Sequence, residues 1–178
     1  MCGWHLLPTV HRNRRKTSKK NQESKPNCIT AMTRTDIYEQ SNSMATVAIA
    51  RPSKKEYAKL LNDGNRQRDA QALCDYLCSK LNIAPCRVVV TSRCQPHSIN
   101  SRGAIRSKKY GNYRPGVRLI TIYDTTAIRK QQVSIKTFAD TLLHEFVHHY
   151  DIECLHLATS LHTAGFYKRI SDLKEKLS

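Results

Sequence analysis

The clearest periodicity in the chain runs through its last third. Ile135, Phe138, Ala139, Leu142, Leu143, Phe146, Val147 and Tyr150 alternate steps of three and one, the spacing that lays an apolar stripe along one side of an α-helix. Ser134 stands where an N-cap belongs. A second, polar stripe carries Thr141, His144, Glu145, His148 and Asp151 or Ile152. The pattern predicts a helix with one side in the core and the other toward a cleft.

Upstream, Ser53 caps an expected helix bearing Tyr57, Leu60 and Leu61, with Glu56 as its capping-box partner. Asn62-Asp63-Gly64-Asn65 interrupts it, and a second helical face follows with Ala70, Leu73, Cys74, Leu77, Cys78 and Leu81, ending before Pro85. Residues 86–92 form a β-branched run and residues 117–123 alternate as a second strand. Between them lies a polar segment punctuated by Gly103, Gly111, Pro115 and Gly116, with a short strand near 104–109. The 117–123 strand is expected at the sheet edge, lining the cleft beside the polar helix face. A last helix carries Phe166, Ile170, Leu173 and Leu177.

Residues 1–50 lack this patterning. Arg12, Arg14, Arg15, Lys16, Lys19 and Lys20 cluster there, followed by a Ser/Thr/Asn/Gln-rich stretch, so a disordered basic arm is expected ahead of a domain over 51–178. Met32 and Met44 are alternative starts within it. The 178 residues carry a net charge of +16, which favours polyanionic partners, nucleic acid first. Arg102, Arg106, Lys108, Lys109, Arg114 and Arg118 interleave with Tyr110 and Tyr113, the composition of a surface for single-stranded DNA. No apolar run has the length of a membrane span, and charges follow rather than precede the apolar opening residues, unlike a secretory signal. Seven cysteines without a Cys-x-x-Cys pair fit a reducing, intracellular compartment. A second zinc held by Cys74, Cys78, Cys86 and Cys94 is the alternative use of four of them.

The polar stripe contains His-Glu-x-x-His. Residues four apart lie one above the other on a helix, so His144 and His148 can share one zinc ion while Glu145 faces the water on it. A catalytic zinc takes a third protein ligand, for which the later candidates are His149, Asp151, Glu153, His156, His162 and Glu175. His162 follows a connection long enough to bring the chain back, at the head of the last helix, and Glu153 is its main rival. Asp140 and Asp151 are candidates to orient the imidazoles; Tyr167, Arg169 and the tyrosines of the middle segment are candidate oxyanion donors.

His144-Glu145-Phe146-Val147-His148 followed by His162-Thr163-Ala164-Gly165-Phe166 resembles the SprT-like (Spartan-type) zincin metallopeptidases, over roughly residues 55–178. The resemblance implies an α+β zincin-like domain with a short mixed or antiparallel sheet packed on helices. It further implies Zn2+ on His144, His148 and His162, with Glu145 as general base. Protein or peptide would be the substrate, and DNA-attached protein is the substrate of the family's best-known members. Thr163 stands where that family often has Gly, and no cysteine-based zinc ribbon follows the last helix. The competing expectation is a non-catalytic, zinc-containing basic module that binds nucleic acid.

Overall fold

The computed structural model describes residues 32–51 and 64–177. The expected helix with Glu56, Tyr57, Leu60 and Leu61 and the basic cluster before residue 32 lie outside the described residues. What is described is an α+β domain with a mixed sheet. Helix α1 (Arg34–Ser43) opens with a reciprocal capping box between Thr33 and Asp36, and α2 (Arg66–Leu81) starts where the Asn65 side chain takes the amides of Gln67 and Arg68. Its buried face is Ala70, Leu73, Cys74, Leu77 and Cys78, as the spacing predicts.

Strands β1 (Arg87–Cys94), β2 (His97–Ile99), β3 (Ile105–Lys108), β4 (Gly111–Arg114) and β5 (Leu119–Thr125) follow. The main sheet has the order β1-β5-β4, with β1 parallel and β4 antiparallel to β5; β2 and β3 pair separately as a hairpin. The expectation that the 117–123 strand is an edge is therefore corrected: β5 is central. β1 and β4 take both of its hydrogen-bonding edges, and Leu119, Ile120 and Ile122 are all buried. Val117 instead lies in a 3-10 turn and is exposed. The strand near 104–109 is present as β3.

The two edges of this sheet are treated differently. Gln71 bonds Val88 N and Cys86 O, and Gln67 bonds Val90 N and Val88 O. Two α2 side chains thus satisfy the outer backbone groups of β1, which blunts that edge. The outer edge of β4 turns toward the next helix.

Helix α3 (Ile135–Glu153) carries the predicted apolar stripe, and Ser134 caps it through Thr137 N. Ile135 departs from the stripe, 66% exposed in the first turn, before the helix reaches the sheet. Helix α4 (Ala164–Leu177) buries Phe166, Ile170, Leu173 and Leu177 against α3 and α1.

The domain begins earlier than expected. The compact unit starts at Met32, and Ile37, Val47 and Ile49 are buried. Residues 32–50 are held by groups more than a hundred positions away: Asp172 takes Val47 N, Lys176 donates to Val47 O, and Arg169 donates to Ser41 O. Such docking leaves no local hydrophobic period to read. Among the described residues no helix is long and apolar enough to cross a membrane.

Candidate metal centre

One turn of α3 separates His144 from His148, and the loop after α3 brings His162 onto both. Nε2 of His162 lies 3.0 Å from Nε2 of His144 and 3.1 Å from Nε2 of His148. Two nitrogens at tetrahedral positions, each about 2.0 Å from one zinc ion, would stand about 3.3 Å apart. The three imidazoles therefore converge as one ion requires. Phe166 sits at the back of all three, its ring centroid 4.6–5.0 Å from theirs, and its burial fixes the rings from behind.

Of the other third-ligand candidates, none joins the pair. His149 points into the core, with Nε2 on Ala84 O and Nδ1 on the Tyr113 hydroxyl. Asp151 is fully buried against Arg169. Glu153 pairs with Arg118 at 2.8 Å, and Glu175 lies near Arg51. His156 is exposed, at a positive φ of 52° just past the helix end.

His148 is oriented by a relay. The Ser160 hydroxyl donates to Asp151 Oδ2 at 2.7 Å and so accepts from His148 Nδ1, also at 2.7 Å. That places the proton on Nδ1 and the lone pair on Nε2, toward the triad. Asp151 is anchored in turn by Arg169, whose Nη2 donates to Oδ2 at 2.9 Å. Asp140, the other expected orienting carboxylate, pairs with Lys174 instead. Arg169 is wholly buried and donates to Ser41 O, Ser41 Oγ and Met44 O, so it is not an oxyanion donor. Tyr113 is committed to His149. Tyr110 and Tyr167 remain, both partly exposed, one lining the cleft and the other 6.0 Å ring to ring from His162.

Thr163 has a distinct job. Its hydroxyl accepts from Phe166 N and bonds Ser41 Oγ at 2.7 Å, capping α4 and tying it to α1. Asn42 adds a bond from Gly165 N. At Gly165 a Cβ would stand 2.0 Å from Ser41 O, so only glycine admits α1 this closely.

The electrostatics follow from burial. His144 is lowered to about 4, by burial first and then by His162 and Lys174; His148 is lowered to about 3, by burial and then by its two histidine neighbours. Both imidazoles are thus neutral, lone pairs available, at physiological pH. Glu145 is raised to about 7 by burial, against the opposing pull of the Tyr113 backbone and Lys109.

A stability prediction follows for the metal-free protein. Depressed histidines stabilise the fold above their ordinary value of 6.5 and lose that contribution as pH falls toward 4 and 3. Glu145 acts in the opposite sense, its contribution present below 4.5 and lost as pH rises through about 7. In a Glu145→Gln background with chelator, the urea midpoint is expected to fall steadily from pH 7 to pH 4. A flat profile would show that the imidazoles are not desolvated.

Two hollows of about 530 and 440 Å3 open beside the triad and share Lys109, Gly111, His144, Glu145 and His162. The residues forming their other wall are those of β4 and the end of the hairpin. The expected Cys74/Cys78/Cys86/Cys94 set does not assemble. Cys94 closes β1 while Cys86 precedes it, and eight residues of extended strand span about 26 Å. No known protein family, curated protein or solved structure matches the chain.

Proposed function

We propose that the protein is a zinc-dependent endopeptidase. The convergence of three Nε2 atoms beside a buried carboxylate, in an open cleft, carries this reading. Zinc suits three imidazoles, and when bound there it would bring a water to a pKa of about 7 and polarise the scissile carbonyl. Glu145, beside the triad, would serve as the general base that accepts a proton from the attacking water and as the acid that gives it to the leaving amine. Ser160, Asp151 and Arg169 hold His148 in the tautomer that leaves its Nε2 free. The outer edge of β4, the one not blunted by glutamines, offers backbone groups along which an extended substrate can lie.

Lys108 and Lys109 at the cleft, with the exposed Arg102 and Arg106 of the hairpin, support substrates bound to nucleic acid. The reading predicts that single-stranded DNA stimulates cleavage and that moderate salt removes the stimulation. A basic module that only binds nucleic acid would bind DNA and cleave nothing.

The direct test is proteolysis of an unfolded protein substrate, or of the chain itself, by the zinc-loaded full-length protein beside His162→Ala. Expected are cleavage by the parent and loss of both cleavage and one zinc in the variant. A parent that holds zinc on the triad and cleaves no protein offered would overturn the enzyme reading.

Gly111 supplies a separate check on Glu145. A Cβ there would meet Thr141 Cγ2 at 2.8 Å and Glu145 Cγ and Oε1 at 2.9 Å. Thr141, held by its bond to Thr137 O, and the Glu145 stem must both shift, so Gly111→Ala is expected to cost about 1–3 kcal/mol of stability. Displacing the base by about 1 Å should lower turnover on the order of 10²-fold. Steady-state kinetics and urea unfolding on the same sample measure both.

A further inference from the structure

A second group of metal-ligating side chains lies in the core, on the buried flank of α3. Cys78 Sγ, Cys86 Sγ and one ring nitrogen of His149 lie within 4.8 Å of one another. The three residues are 3%, 2% and 0% exposed. Cys74, one helical turn before Cys78 on α2 and also buried, lies within hydrogen-bonding reach of the Cys86 thiol. The cluster thus draws on α2, the residue just before β1 and α3, and its three cysteines are free thiols.

We propose that Cys74, Cys78, Cys86 and His149 form a second metal site, structural and separate from the histidine triad, that takes one zinc ion. Three thiolates and one imidazole are a common structural zinc set. Sulfurs each about 2.3 Å from one ion stand about 3.8 Å apart, so Cys78, Cys86 and His149 need to contract by about 1 Å at most, and Cys74, which lies outside that trio, turns in to complete the set. The spacing is unlike a zinc knuckle but has a helical logic, since Cys74 and Cys78 lie one above the other on α2.

The surroundings are held as a metal site requires. His149 Nε2–H donates to Ala84 O at 2.8 Å, which fixes the tautomer and leaves the lone pair on Nδ1. Gln71 Nε2 holds Cys86 O at 2.9 Å, which fixes the backbone of the third thiol. Nδ1 now accepts from the Tyr113 hydroxyl at 2.9 Å, a bond that the ion replaces. Without a cation the Cys78 thiol is pushed far up by its hydrogen bond with Cys86 and then by burial, and the Cys86 thiol by its hydrogen bond with Cys74 and by burial, against a lowering pull from Cys78, so they stay protonated and inert. Binding releases those protons, one from each of the three thiols, and fills the gap between the elements. Because the cluster is enclosed, the ion is taken up as the chain folds.

The test is the full-length chain, reduced and refolded with Co(II) or Zn(II). The histidine triad contains no sulfur, so an intense near-ultraviolet sulfur-to-cobalt charge-transfer band reads the second site alone. Expected are about two metal ions per chain, and a band that survives His144→Ala/His148→Ala and the Cys94→Ser control. Cys86→Ser should lose the band and retain the triad's single ion. If Cys86→Ser fails to fold, Tyr113→Phe serves in its place: removing the hydroxyl that competes for Nδ1 should tighten the band-forming site several-fold. A folded, reduced parent that shows no band with Co(II) in excess would overturn the proposal. So would a Cys78–Cys86 or Cys74–Cys86 disulfide in protein purified without reductant that still refuses metal after reduction.

Discussion

Glu145→Gln is expected to lower peptide hydrolysis on the order of 10²–10⁴-fold while the chain stays folded and keeps its metal. The side chain is 7% exposed and adjoins Gly111, and the amide occupies the same space, so packing is conserved. What changes is proton chemistry. Burial raises the Glu145 carboxyl to about 7, where it can both take and return a proton near neutral pH. Glutamine can do neither. Substrate cleavage, zinc per chain and the urea midpoint should be measured together. Residual activity within about tenfold of the parent would place the base elsewhere. Loss of zinc along with activity would make Glu145 a structural residue of the site.

The second large effect is expected at a residue that touches neither metal nor substrate. Arg169→Met leaves Asp151 buried and uncompensated, which costs about 3–5 kcal/mol. Against a typical domain stability of about 5–15 kcal/mol, that is a sizeable share of the total and, at the low end of the range, leaves a substantial unfolded fraction. Arg169 also bonds Ser41 O, Ser41 Oγ and Met44 O, so α1 should loosen with it. Adding Asp151→Asn removes the stranded charge and is expected to recover part of the loss, although His148 then loses the acceptor behind Ser160. Denaturant unfolding of the parent, the two single variants and the double variant measures the coupling. A coupling below about 0.5 kcal/mol would mean that the pair is not the anchor described.

The parts of this architecture that the sequence discloses are the local ones. The α3 stripe, its Ser134 cap and the His144/His148 pair are set by neighbours one turn away. The same holds for the buried face of α2 and the β-branched runs of β1 and β5. His162 required only an argument from connection length. The rest depends on distant partners. Ser41 and Asn42 read as part of a polar tail because their partners, Thr163, Gly165 and Arg169, lie more than 120 positions on. Asp151 falls at the end of the polar stripe, yet it is buried, because Arg169 from another helix makes that tolerable. Gly111 to Arg114 is too short and polar to announce a strand, and β5 had to supply its register. The Cys-rich face of α2 was legible as apolar; that it meets His149 was not, since α2 and α3 meet only through the fold.

The clasp between α1 and the head of α4 has a consequence for the order in which this chain becomes competent. During synthesis α1 emerges well before Thr163, Gly165 and Arg169, which it must grip. The contact between Ser41 and Arg169 spans 128 positions, a closure that is slow to find and cannot precede release of the last helix. His162 belongs to the segment so clasped, so the triad closes only when the two ends of the described unit have met. A partly folded chain carries two of the three imidazoles on one helix and lacks the geometry to hold the ion. On the proposed reading, hydrolysis waits until that clasp has formed.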